Sequence, residues 1–340
     1  MENILVLTHV DESGVLSRAS LESVAAGVEL SSALSAKLSI GVVAVDAAAV
    51  AAQLAGLNAR VLAATSPELA EPRFSSDAAA CEALCRTAAP SIVLAPGSSR
   101  FTRVLPAVAH RLGGVTDTHI TLLTGGAQAE ATRWFYRQRV EAVITRTARP
   151  WFLLLDAGTR TAYAGSGAAP TIESAAITMP ALRTKVLGIK APKQDEQTIR
   201  PDAKLLFVAG AGWTKKQADG QVHATDAEAL ILGFLRNADA SLGSSKSLVD
   251  QSGENQSVLN FMTHLNQIGQ TGSTPRHAKG LSTCCHGEEP HVVGWRFVNE
   301  RRAINLDANC GWARGKADVV YIADAFAVME RVNALLAEKK

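Results

Sequence analysis

Apolar positions in the first part of the chain fall into short aliphatic runs separated by longer segments of helical spacing. Ile4–His9, Leu38–Val45, Ala59–Ala63 and Ser91–Ala95 are five to eight residues long and dominated by aliphatic and small residues. Runs of that length are too short for independent helices and read as buried strands. Between them, Leu21–Leu34, Ala47–Leu54, Asp77–Thr87 and Arg103–Leu112 repeat their apolar positions at helical intervals. Ser76 or Asp77 is the expected N-cap of the third helix, and Gly113-Gly114 ends the fourth. This alternation predicts a parallel sheet with helices on both faces.

From Thr118 to Leu187 the pattern changes to short strand-like runs divided by glycines and polar turns: Ile120–Leu123, Trp134–Arg137, Val143–Thr147, Trp151–Leu155 and Arg183–Gly188. They predict an antiparallel extension that completes the first domain. Lys190–Arg200 is charged, contains proline and lacks a periodic apolar face, the composition of a linker. Strand-like Leu205–Val208, His291–Val293, Ala303–Leu306 and Val319–Ile322 then alternate with helical Thr225–Leu235, Ser257–Asn266 and Ala325–Ala337. The expected organisation is α/β throughout: a parallel-sheet N-terminal domain with an antiparallel extension over 1–190, a linker over 191–201, and a smaller α/β C-terminal domain over 202–340.

Composition narrows the classes. A chain of 340 residues exceeds one ordinary core, in keeping with two domains. A net charge of +2 is too small to predict binding to nucleic acid or a membrane surface, and no run is long and apolar enough to span a bilayer. The start of the chain enters an apolar strand with no basic leader, and five cysteines are an odd, sparse set rather than a disulfide framework. A reducing, cytoplasmic setting is the expectation.

Several stretches, in order, resemble the alpha subunit of the electron-transfer flavoprotein family. They are Val93–Pro96, Val104–Ala109, Gly113, Asp117, Ile120, Arg146-Thr147 and Arg149-Pro150 in the first domain. In the second they are Ile268-Gly269-Gln270-Thr271-Gly272, Asn305 ahead of Asp307, and Ala317-Asp318. The resemblance implies FAD bound mainly by the C-terminal domain and a beta subunit as heterodimer partner, with AMP held in that beta subunit. It also implies a flavin-dependent dehydrogenase as electron donor and a second redox protein as acceptor. Catalytic residues are not expected, because a carrier of the kind the resemblance implies passes electrons and transforms no substrate.

The same resemblance assigns roles to residues. Gln270, Thr271 and Gly272 match the motif beside the isoalloxazine ring, where glycine admits close backbone approach and a hydroxyl can bond the ring nitrogens. Ser245-Lys246 matches a Ser-Arg pair that favours anionic reduced flavin; lysine keeps the charge but lacks the planar fork. His291 matches a histidine at the pyrimidine end of the ring. Asn305 and Asp318 match positions near the adenosine and its ribose.

The chain also departs from the family. Gly210-Ala211-Gly212-Trp213 stands where Gly-Gly-Arg-Gly is expected, Ser273 replaces a lysine, and Glu288-Glu289 bring negative charge to the candidate pocket. These departures imply a dedicated partner, such as a dehydrogenase of methylated amines. They also keep open a flavin-depleted scaffold subunit of a redox complex. Cys284-Cys285-His286 lacks the paired spacing of a zinc site, and Cys81 and Cys85, four apart on one helix, read as packing. His9 and Asp11 follow the first strand, at the sheet edge where open α/β sheets bind ligands. No nucleophile or acid–base constellation supports a third reading, a dinucleotide-dependent oxidoreductase.

Overall fold

The computed structural model describes residues 2–10, 14–136, 140–188, 199–200, 203–250, 259–269, 274–283, 298–310 and 317–339. Contacts divide the chain into two compact units, Met1–Ile189 and Lys190–Lys340.

The first unit is built on nine strands: β1 Asn3–His9, β2 Lys37–Ala44, β3 Arg60–Thr65, β4 Ile92–Pro96, β5 Val115–Thr124, β6 Glu130–Phe135, β7 Val140–Ile144, β8 Trp151–Leu155 and β9 Ile172–Ser174. Their order is β7-β6-β5-β8-β4-β1-β2-β3-β9. Among the named strands of the described residues, the β5–β6 and β6–β7 pairs are antiparallel and the others parallel. The helices are α1 Arg18–Leu34, α2 Val50–Gln53, α3 Phe74–Ala88 and α4 Ser99–Arg111.

The aliphatic runs belong to strands covered on both faces. Ile4, Val6, Ile40, Val42, Ile92 and Leu94 pack with Val24, Ala26 and Leu30 of α1. Leu5, Leu7, Val43, Val93 and Ala95 pack on the other face with α3 and α4 through Leu84, Phe101 and Val104. The period-two alternation of side chains thus feeds two cores from one strand. Helix α1 sits close because Gly27 has no side chain; a Cβ there would meet Val6 Cγ2 at 2.4 Å.

Three local expectations change. Trp151–Leu155 is an interior parallel strand between β4 and β5, not part of the antiparallel extension. Its five residues are all buried, which the missing alternation of WFLLL already suits. Arg183–Gly188 forms no strand, and Ala47–Leu54 contracts to the single turn α2. Helix α3 begins at Phe74 with Arg73 as N-cap, so neither Ser76 nor Asp77 caps it. Asp77 is instead buried against Arg100, whose Nη2 donates to Oδ1 at 2.6 Å and Nε to Oδ2 at 3.0 Å.

The second unit carries β10 Leu205–Ala209, β11 Ala240–Ser244, β12 His277–Thr283, β13 Val298–Asn305 and β14 Val319–Ile322, with helices α5 Ala224–Ala238, α6 Lys246–Asp250 and α7 Ala325–Ala337. All pairings are parallel, in the order β11-β10-β12-β13-β14. Phe207 and Ala209 face α5 and α7, while Leu206 and Val208 face Ile268, Val298 and Ala303. Of the expected Ser257–Asn266 helix, the described part holds one 3-10 turn, His264–Asn266. The expected strand His291–Val293 lies outside the described residues.

Candidate functional site

In chain order within the second unit, the sheet runs second, first, third, fourth, fifth. The direction of winding therefore reverses between β10 and β12. Open parallel sheets bind ligands outside the carboxyl ends of their strands at such a reversal, because the connections diverge there and leave a crevice.

Four segments form this edge. After β10 comes a 3-10 turn, Ala211–Thr214, entered through Gly210. Gly210 N donates to Thr283 O at 2.8 Å, tying the turn to the last residue of β12. After β11, Ser245 N donates to Ala209 O at 2.9 Å and Lys246 opens α6, exposed. Ile268 N donates to Ser244 O at 3.1 Å, which brings the Gln267–Gly269 segment to the same strand end. Gly269 has φ +76°, a left-handed conformation suited to glycine. Its amide donates to Thr274 Oγ1 at 2.7 Å, so the described residues on either side of 270–273 are joined. Asn305 closes β13.

Ser245, Lys246 and Asn305 therefore share the carboxyl edge of one sheet, although they come from two different strand ends. Ser245 is buried and its Oγ accepts from Leu248 N at 3.3 Å, so this hydroxyl caps α6. Asn305 Nδ2 donates to Asp307 O at 3.1 Å, holding the turn beyond β13.

Asp318 lies at the opposite edge. It precedes β14, and Arg302 pairs with Val319 while Asn305 pairs with Ile322. Four residues of strand separate Asp318 from the carboxyl end, about 13 Å at the usual rise. Its carboxylate accepts from Arg301 N at 2.7 Å and Arg301 Nη2 at 3.2 Å. The Arg301 amide, and then its guanidinium, hold this carboxyl below the ordinary range. Gln270, Thr271, Gly272 and His291 lie outside the described residues, as do Cys284, Cys285 and His286.

Two buried groups at this edge have no role assigned by the sequence. Ser244 Oγ is buried and has no hydrogen-bond partner among the described residues. Trp213 is fully buried, and its Nε1 donates to Thr283 Oγ1 at 2.8 Å. A large aromatic directly after a glycine turn, in a chain with only 5% aromatics, was the available signal.

The first unit has its own reversal, between β1 and β4. There His9 Nε2 lies 3.2 Å from Ser98 Oγ, and the ring packs edge-on to Phe101. Ser98 Oγ also accepts from Phe101 N as the N-cap of α4, so the hydroxyl serves the fold. Asp11 is outside the described residues. Asp117, by contrast, is buried on β5 beside β8, accepting from Arg146 Nε and Nη2 at 2.9 Å each, from Trp151 Nε1 at 2.8 Å and from Arg133 Nη1 at 3.2 Å. Burial pushes its carboxyl upward, but Arg146, Trp151 and Arg133 outweigh that and hold it below the usual carboxylate range. Cys81 and Cys85 are buried in α3; burial pushes the Cys85 thiol up to about 12 and keeps both thiols protonated, so they pack rather than react.

Among the described residues no group of acidic, histidine or cysteine side chains is arranged to hold a metal, and no helix is long and apolar enough to cross a membrane. The model of one protein family, electron transfer flavoprotein domain, matches residues 4–182. The match spans the first sheet and stops before the second unit. No curated protein matches the chain.

Proposed function

The chain belongs to the electron transfer flavoprotein family, and from that premise we propose that it is the alpha subunit of such a carrier. In this reading the second unit holds FAD at the carboxyl edge of its sheet. The observation that supports it most is the reversal between β10 and β12, with Gly210, Gly212, Lys246 and Asn305 gathered at the strand ends.

The residues fit such a group. Gly210 and Gly212 are buried at this strand end and bring no side chain to it. Lys246 supplies the cation that anionic reduced flavin needs. The buried Ser244 hydroxyl, without a partner among the described residues, is a polar group of the kind that a native interior leaves orphaned only for a reason. Bound flavin supplies reversible one- and two-electron exchange; the chain's residues bind it, orient it and set its charge preference. Asp318, committed to Arg301 at the amino edge, is left out of this assignment.

Members of the family typically form heterodimers. The proposed partner is the beta subunit, with its own AMP, and the proposed contact is the antiparallel corner of the first unit. Leu122, Phe135, Tyr136, Val140 and Val143 are exposed there, and β7 is an edge strand. Exposed apolar side chains gathered at one sheet edge suit burial against another chain. Donor and acceptor are a flavin-dependent dehydrogenase and a second redox protein.

The test is the visible absorption spectrum of the chain purified with its beta partner. Near-stoichiometric flavin is expected, and Lys246→Ala should lower the flavin midpoint potential by destabilising the reduced anion. A colourless, intact heterodimer would refute the carrier reading in favour of a scaffold subunit, the reading that Gly212 in place of an arginine supports.

A further inference from the structure

Trp213 occupies the junction on which the candidate flavin site depends. Two hydrogen bonds run from the turn after β10 to Thr283 at the end of β12: Gly210 N to Thr283 O, and Trp213 Nε1 to Thr283 Oγ1, both 2.8 Å. The Thr283 hydroxyl in turn donates to Val208 O at 3.3 Å, back on β10. The two strands that flank the reversal are thus laced together beyond their last ladder bonds.

The indole is also fixed in the core. It stacks at 54° on Phe326 of α7, with centroids 4.6 Å apart, and packs in one cluster with Phe207, Ala227, Ile231 and Met329. A buried indole N–H left without an acceptor is costly, so the bond to Thr283 selects the ring's position.

The turn itself has its carbonyls engaged. Gly210 O accepts from Trp213 N at 3.3 Å and Ala211 O from Thr214 Oγ1 at 3.0 Å. Gly212 O accepts from Lys215 N at 3.3 Å and from Gln217 Nε2 at 3.1 Å. Three successive peptide planes are therefore oriented before any ligand arrives. The Trp213 side chain reaches across from this turn to β12.

We propose that Trp213, through its hydrogen bond to Thr283, is the positioning residue that preorganises the Gly210–Gly212 backbone for flavin binding. The inference rests on the functional reading above. Its physical content is that a backbone held in the bound geometry spares the ligand the cost of ordering it. In this chain a buried tryptophan stands next to the position where the family resemblance implies a side chain that contacts flavin directly.

The test uses the full chain purified with its beta partner, with FAD as the probe. Trp213→Phe keeps a ring and removes the donor; Thr283→Val keeps the shape and removes the acceptor; Thr283→Ser keeps the hydroxyl. Each of the first two should raise the FAD dissociation constant about tenfold, the worth of one buried hydrogen bond, and both should shift the flavin midpoint potential in the same direction. Thr283→Ser should keep wild-type values, and the double variant should be no worse than Thr283→Val, which already lacks the bond that Trp213→Phe deletes and also loses the hydroxyl's bond to Val208 O. Should Trp213→Phe fail to fold, the valine and serine variants decide the matter. Wild-type affinity and potential in a folded Thr283→Val protein, or additive losses in the double variant, would overturn the inference while leaving the functional reading intact. A wild-type heterodimer that takes up no FAD would overturn both.

Discussion

Replacing Asp77 by alanine should unfold the first unit far more readily than an ordinary surface change. Asp77 is 0% exposed and Arg100 only 8%. The guanidinium makes two bonds to the carboxylate and one, from Nη2 at 2.8 Å, to Leu69 O. Asp77→Ala leaves that charge buried with a single neutral acceptor, and stripping one partner from a buried pair costs about 3–5 kcal/mol. The double variant Asp77→Leu, Arg100→Met removes both charges. It forfeits one hydrogen bond to Leu69 O, about 1 kcal/mol, and gains apolar packing between α3 and α4. At about 2–4 °C per kcal/mol for a domain of this size, the single variant should lower the melting temperature by about 6–20 °C and the double by less than about 4 °C. Scanning calorimetry of the full chain, with the first-unit transition assigned by hydrogen exchange, measures both. A single variant within about 2 °C of wild type, or a double variant as unstable as the single, would refute the reasoning that the isolated charge carries the cost.

Asp117, held below the usual carboxylate range, contributes stability at pH values above its unfolded pKa, and that contribution is lost as pH falls through its folded value. Asp117→Asn should therefore lower the melting temperature at neutral pH and flatten its decline on acidification, read from calorimetry in a series of buffers. Gly56 has φ +75°, and a Cβ there would lie 2.0 Å from Ser166 O. Gly56→Ala should cost more than about 1 kcal/mol, whereas Gly126→Ala, with nothing within 4 Å, should leave the same melting temperature unchanged.

Much of the secondary structure was legible because it depends on local spacing. Ala325–Ala337 begins and ends where its periodicity predicts, and Asp324 caps it by accepting from Phe326 N and Ala327 N. The aliphatic runs at Ile4, Leu38 and Leu205 became central strands since nothing but a two-sided core accommodates them. The WFLLL run predicts a strand over Trp151–Leu155 but not its place between β4 and β5, because strand identity is local and strand order is not. Of the candidate site, Ser245, Lys246 and Asn305 could be singled out by family resemblance; their common edge could not.

The amino-acid sequence by itself determined the α/β class and the alternation of strands and helices. Both properties are carried by neighbours a few positions apart. Tertiary structure alone decided that Asp77 serves Arg100 rather than a helix cap, that Asp318 stands at the amino edge with Arg301, and that Trp213 turns inward to Thr283, 70 residues away. In each case a polar group leaving water takes the partner that the packed strands and helices bring within reach, and that partner is distant in the chain.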